Sequence, residues 1–212
     1  MKTDDLITAL SADAGMSRPP IARTVWVACA VGVVTAIVLS VALMPARPDM
    51  AEAVMRPRFL FKWALTLSLL VSAMLLVLQL ARPQPVTRAQ LWLLIAAPVV
   101  LAFGVGIEMM THPASEWMPL LVGHNARFCV IFIPLLSALP LAAFIVALRQ
   151  GATSNPVLAG AVAGLASAGI GTTLYAAHCM DDSPLFIAAW YVIGTLLMAG
   201  IGAYFGDRLL RW

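Results

Sequence analysis

The chain has 212 residues, 62% of them hydrophobic and 11% charged, with a formal net charge of +3; an ordinary soluble domain carries about 25% charged residues. So few charges cannot solvate a globule of this size, which excludes a conventional soluble domain and points to helices in lipid.

The chain opens with a polar tail, residues 1–23. Thr3 is placed to cap a helix, Asp4 and Asp5 favour its positive N-terminal end, and Leu6, Ile7 and Leu10 form a small apolar stripe at helical spacing. Gly15, Pro19 and Pro20 then stop it. A helix this short is marginal alone in water, so the stripe needs a surface to order against: a partner's groove or the bilayer.

Beyond the tail, residues 24–46, 63–81, 89–107, 128–148, 150–180 and 183–206 carry no charged side chain. A hydrocarbon core of roughly 30 Å takes about 20 helical residues, so each stretch makes one crossing and none makes two. Helices are the required form because lipid offers the backbone no hydrogen-bonding partners. The expected architecture is all-α: a polytopic six-helix transmembrane bundle over residues 24–207. Its spans are expected at about 24–44, 60–81, 89–110, 128–148, 157–178 and 184–206, with 208–212 as a short C-terminal end. The first span follows a long acidic tail and its apolar run is too long for a signal peptide, so it reads as an uncleaved anchor. Gly160 and Gly164 in the fifth span, and Gly202 and Gly206 in the sixth, have the small-xxx-small spacing that lets helix backbones approach closely in lipid.

An even number of crossings puts both termini on one side. That side holds Lys2, Arg18, Arg23, Arg82, Arg88, Arg149, Arg208 and Arg211; the other holds Arg47, Arg56, Arg58, Lys62 and Arg127. The positive-inside rule places both termini in the cytoplasm, hence a bacterial inner-membrane location. His112, His124, Cys129, His178 and Cys179 then gather at the outer face with Glu108, Glu116, Asp181 and Asp182.

Thiolate and imidazole together suit soft or borderline ions such as Cu(I) and Zn(II). The stretch His178-Cys179-Met180-Asp181-Asp182 is the densest set of such groups, yet it has no recognised zinc spacing. Two other readings stay open: a disulfide between Cys129 and Cys179 in an oxidising compartment, or small residues at helix ends. Cys29, near the opposite face, reads as a packing residue. Enzyme classes fail on missing parts. There is no His-Glu-x-x-His and no Cys-x-x-Cys, Ser167 is too far along its helix from His178, and Glu108 alone comes near to being a charge within a span.

The opening Met1-Lys2-Thr3-Asp4-Asp5-Leu6-Ile7, the six crossings, the cysteine after Arg127-Phe128 and the second after His178 together resemble the NrsF-type membrane anti-sigma factors over essentially the whole chain. The resemblance implies a non-enzymatic regulator. Its cytoplasmic tail (Thr3, Asp4, Asp5, Leu6, Ile7, Leu10) would hold an extracytoplasmic-function (ECF) sigma factor at the membrane, with no direct nucleic-acid contact. Cys129 and Cys179, helped by His178, would sense a heavy-metal or oxidative signal, with His112, His124, Asp181 and Asp182 as further candidate ligands. No obligatory cofactor is implied; a metal ion would be the signal. The alternative is a small membrane protein that binds or transports metal.

Overall fold

The structure, a computed structural model, describes residues 20–45, 47–83 and 87–211, together with Thr3. Among the described residues every regular element is helical. Six helices are long and apolar enough to cross a membrane: α1 (Ile21–Leu43), α3 (Pro57–Leu80), α4 (Arg88–Thr111), α6 (Ala126–Leu148), α7 (Pro156–Ala176) and α8 (Pro184–Leu209). Two short helices, α2 (Met50–Ala53) and α5 (Ala114–Val122), lie in the connections after α1 and α4. The helices extend past the apolar stretches where capping chemistry allows. Pro57, Pro156 and Pro184 open α3, α7 and α8, where a missing N–H costs nothing. Asn155 and Ser183 accept from the backbone N–H of Leu158 (3.0 Å) and Phe186 (3.4 Å), satisfying donors that a helix start leaves unpaired.

Helix α7 is the axis of the bundle, packed by α8, α3 and α6 and, more lightly, by α1. Its side chains explain this position: glycine, alanine, serine and threonine fill most of the helix and let neighbours come close. The α7–α8 seam shows it most sharply. A Cβ on Gly160 would fall on the Gly202 carbonyl, one on Gly164 on the Met198 carbonyl, and one on Gly206 on the Pro156 carbonyl. Backbone therefore meets backbone, as the spacing predicts. Helix α1 rests chiefly on α6, where Gly32 admits Pro140; a Cβ there would lie 3.0 Å from Pro140 Cα. Helix α4 is the most peripheral span and shows its apolar face outward.

Four buried hydroxyls in α6 and α7 bond back to their own helix. Ser137 donates to the Ile133 carbonyl (2.7 Å), Ser167 to Gly164 (2.8 Å), Thr172 to Ala168 (2.7 Å) and Thr173 to Gly169 (2.7 Å). These bonds pair four buried donors within their own helices.

A candidate thiol and ion-pair site at one end of the bundle

The end of the bundle opposite Ile21 is where the connections α1–α3, α4–α6 and α7–α8 meet. The segment His178–Ser183, linking α7 to α8, lies at its centre. Cys129, in the first turn of α6, and Cys179, just past α7, are both buried. They are free thiols and lie close enough to influence each other's ionisation, and the Cys179 thiol donates to the Asp181 carbonyl at 3.8 Å. Tyr175, Tyr191, Phe186 and Ile133 enclose them in one apolar cluster, with the Tyr175 and Tyr191 rings 5.8 Å apart. Tyr191 closes a single turn of π-helix, Ile187–Tyr191, within α8.

Hydrogen bonding to the Cys129 thiol is the largest influence on the Cys179 thiol, and burial works against it. The nearby Lys62 ammonium and a bond to the Asp181 backbone add to the first effect, and Cys179 is lowered from 9.0 to about 7. A thiolate at that position is the reactive and metal-binding form.

Arg47 and Lys62 hold the segment from the other side. Lys62 is wholly buried; its Nζ donates to the carbonyls of Cys179 (2.8 Å) and Asp181 (3.2 Å) and pairs with Asp182 Oδ1 at 2.5 Å. Arg47 donates to the Cys179 carbonyl (3.0 Å) and to both Asp182 oxygens (3.1 and 3.0 Å). Its remaining N–H groups reach Asp49 at 2.6 and 3.1 Å. Asp49 pushes the guanidinium further above its ordinary range, and Arg47 in turn holds the Asp49 carboxyl below its own. Ion pairs this dry persist only when every donor has an acceptor. Sequence reading counted both cations as flanking charges of a loop and a span end. Their signal was the opposite-sign set Arg47, Lys62, Asp182 next to apolar stretches, a pattern that intramembrane charges follow.

The other residues singled out from the sequence are placed as follows. His178 Nδ1 lies 3.0 Å from the Leu174 carbonyl. His112 sits between Arg58 (3.0 Å) and the Glu108 carbonyl (3.2 Å). His124 projects outward, its Nδ1 3.6 Å from Asp181 Oδ1. Asp181 Oδ2 accepts from the backbone N–H of His124 (3.0 Å) and Asn125 (2.8 Å) and from the Asn125 side chain (2.9 Å). Asp182 serves Arg47 and Lys62. Among the described residues no three His, Cys, Asp or Glu side chains form a group that could hold a metal ion, so the structure brings together Cys129 and Cys179 and leaves the histidines and carboxylates elsewhere. The carboxylates are engaged by donors at 2.5–3.1 Å, which is why they do not turn toward the thiols. Of the tail, Thr3 is described, as exposed; Asp4, Asp5, Leu6, Ile7 and Leu10 lie outside the described residues.

Above the segment a surface cavity of about 720 Å³ opens, lined by Arg56, Arg58, His124, Met180, Asp181 and Ser183 among others. Arg58 at its rim pairs with the buried Glu108 at 3.1 Å. The two thiols themselves lie beneath this cavity's lining, buried in the apolar cluster.

Comparison with known proteins gives the family of the chain. The chain is 37% identical to the anti-sigma-F factor NrsF of Caulobacter vibrioides and 31% identical to the probable anti-sigma-F factor NrsF of Azospira oryzae, in each case over the full length of both chains. No solved structure matches it. The relatives are regulatory proteins rather than enzymes, in keeping with the missing catalytic constellations of the sequence. The family profile described as negative regulator of sigma F matches residues 10–212, and the chain belongs to that family.

Proposed function

We propose that this protein is an anti-sigma factor of the bacterial inner membrane, with both termini in the cytoplasm. Its N-terminal segment sequesters an ECF sigma factor, and Cys129 and Cys179 release it on meeting a soft metal ion or an oxidant outside. The observation that carries the sensing part is the proximity of these two thiols, fifty positions apart in sequence, in one buried cluster at the end of the bundle away from Ile21.

Two thiolates without a third ligand favour ions that accept low coordination and soft sulfur, Cu(I) being the physiological type. Binding one ion displaces whatever protons the two thiols hold. An oxidant would instead take two electrons and two protons from the pair, leaving a disulfide. Either event brings the start of α6 and the end of α7 together. Switching a population from 1:99 to 99:1 takes about 5.5 kcal/mol of differential affinity, and structural metal sites built on thiolates reach about 10 kcal/mol or more.

The test is a strain carrying a sigma-dependent reporter and either the wild type or Cys129→Ser/Cys179→Ser. The double variant should still silence the reporter and should no longer respond to metal or oxidant; a normal response would remove the cysteines from the mechanism. Copurification of the sigma factor with the intact chain, lost on Asp4→Lys/Asp5→Lys, checks the tail. Unchanged capture would move the binding surface elsewhere.

A further inference from the structure

Arg47 and Lys62 share an unusual acceptor. Both cations point at one backbone carbonyl, that of Cys179, at 3.0 and 2.8 Å, and both pair with the carboxylate of Asp182, three residues on. Arg47 stands just beyond α1 and Lys62 in the second turn of α3, so three elements distant in sequence converge on one short segment. Buried cations tolerate this position only while their acceptors stay in place. For Lys62 all three acceptors belong to residues 179–182. The shape of that segment and the pairing of the charges are therefore one event, and the Cys179 Cα joins the reactive thiol directly to the carbonyl both cations hold.

Helix α1 meets α3 only lightly and rests mainly on α6. Arg47 is thus a principal tie between α1 and the Cys179 segment. We propose that Arg47 and Lys62 are positioning residues forming a latch: in the resting chain they tie the Cys179 segment to α1 and α3, and engagement of the Cys179 thiol opens the latch and frees α1, into which the N-terminal segment leads. This rests on the thiol-sensing reading above.

Hydrogen–deuterium exchange on the full-length wild type in lipid nanodiscs, with and without one equivalent of Hg²⁺, tests it. Hg²⁺ is chosen because it binds two thiolates without a third ligand, and its loading is followed by the thiolate-to-metal ultraviolet band. The latch predicts faster exchange in peptides covering 178–183 and 47–55 together, with no change in either for Cys129→Ser/Cys179→Ser. Faster exchange in 178–183 alone overturns the latch and leaves thiol sensing intact. No Hg²⁺ at the thiols overturns both.

In cells, Arg47→Gln at wild-type membrane abundance should give a sigma-dependent reporter that is high without metal and does not respond further. Arg47→Lys, which keeps one cation without the fork, should fall between. An Arg47→Gln protein that represses and responds like the wild type overturns the latch. The exchange comparison on the wild type decides the matter whether or not that variant accumulates.

Discussion

Glu108, near the end of α4, caps α8 from outside: its Oε2 accepts from Ser183 Oγ at 2.6 Å and from the Leu185 N–H at 3.0 Å. The carboxylate is buried, and its other oxygen lies 3.1 Å from Arg58 Nη2. An acidic group at a helix start meets both the unpaired N–H groups and the positive end of the helix dipole. It also ties peripheral α4 to the start of α8.

Glu108→Ala strips Ser183, the Leu185 N–H and Arg58 of their shared acceptor and should destabilise the protein by about 1.5–3 kcal/mol, the range for a hydrogen bond to a charged group. Glu108→Gln keeps an acceptor and should lose about half as much. Heating detergent-solubilised samples and following the remaining monodisperse fraction by size-exclusion chromatography measures both.

Gly160→Ala and Gly202→Ala each place a methyl against backbone of the facing helix, where nothing flexible can yield. Overpacking of this sort costs about 1–3 kcal/mol. Both substitutions act on one contact, so the double variant should cost less than their sum. The same thermal assay, run as a double-mutant cycle, checks the shortfall; strict additivity would mean the helices do not meet at this seam.

Gly123 has φ +56° and ψ −163°, a region essentially reserved for glycine at about 1–3 kcal/mol for other residues. A Cβ there would also press on the Phe186 ring and lie 3.0 Å from Asp181 Cγ. Gly123→Ala should both lower thermal stability and displace the Asp181 anchor, raising the rate at which an impermeant maleimide labels Cys179.

Cys179 labelling should itself follow pH, with the rate half-developed near pH 7. The Cys129 thiol is the largest cause, so Cys129→Ser should alter the midpoint most. Lys62→Gln should raise it by less. A midpoint near 9.0, the ordinary thiol value, would show that the pair does not interact. The sign for stability follows from the downward shift: the contribution of this thiolate is fully present above pH 9.0 and is lost as pH falls through about 7.

Six helices long and apolar enough to cross a membrane, the alternation that gathers imidazoles and thiols at one end, and the close α7–α8 seam were all legible in residue order. Each depends on local quantities: the length of an uncharged run, or a four-residue spacing along one helix. Pro184 as a helix start was legible for the same reason. Which of the gathered groups touch was decided only by the tertiary structure. Asp182 pairs with Arg47 across 135 positions, and Lys62 reaches Cys179 across 117. A hydropathy window treats such cations as the edges of spans, because it has no knowledge of what arrives from another helix to neutralise them. Burial raises the cost of an unpaired charge so steeply that these contacts claim the carboxylates, leaving the two cysteines facing each other without a third ligand.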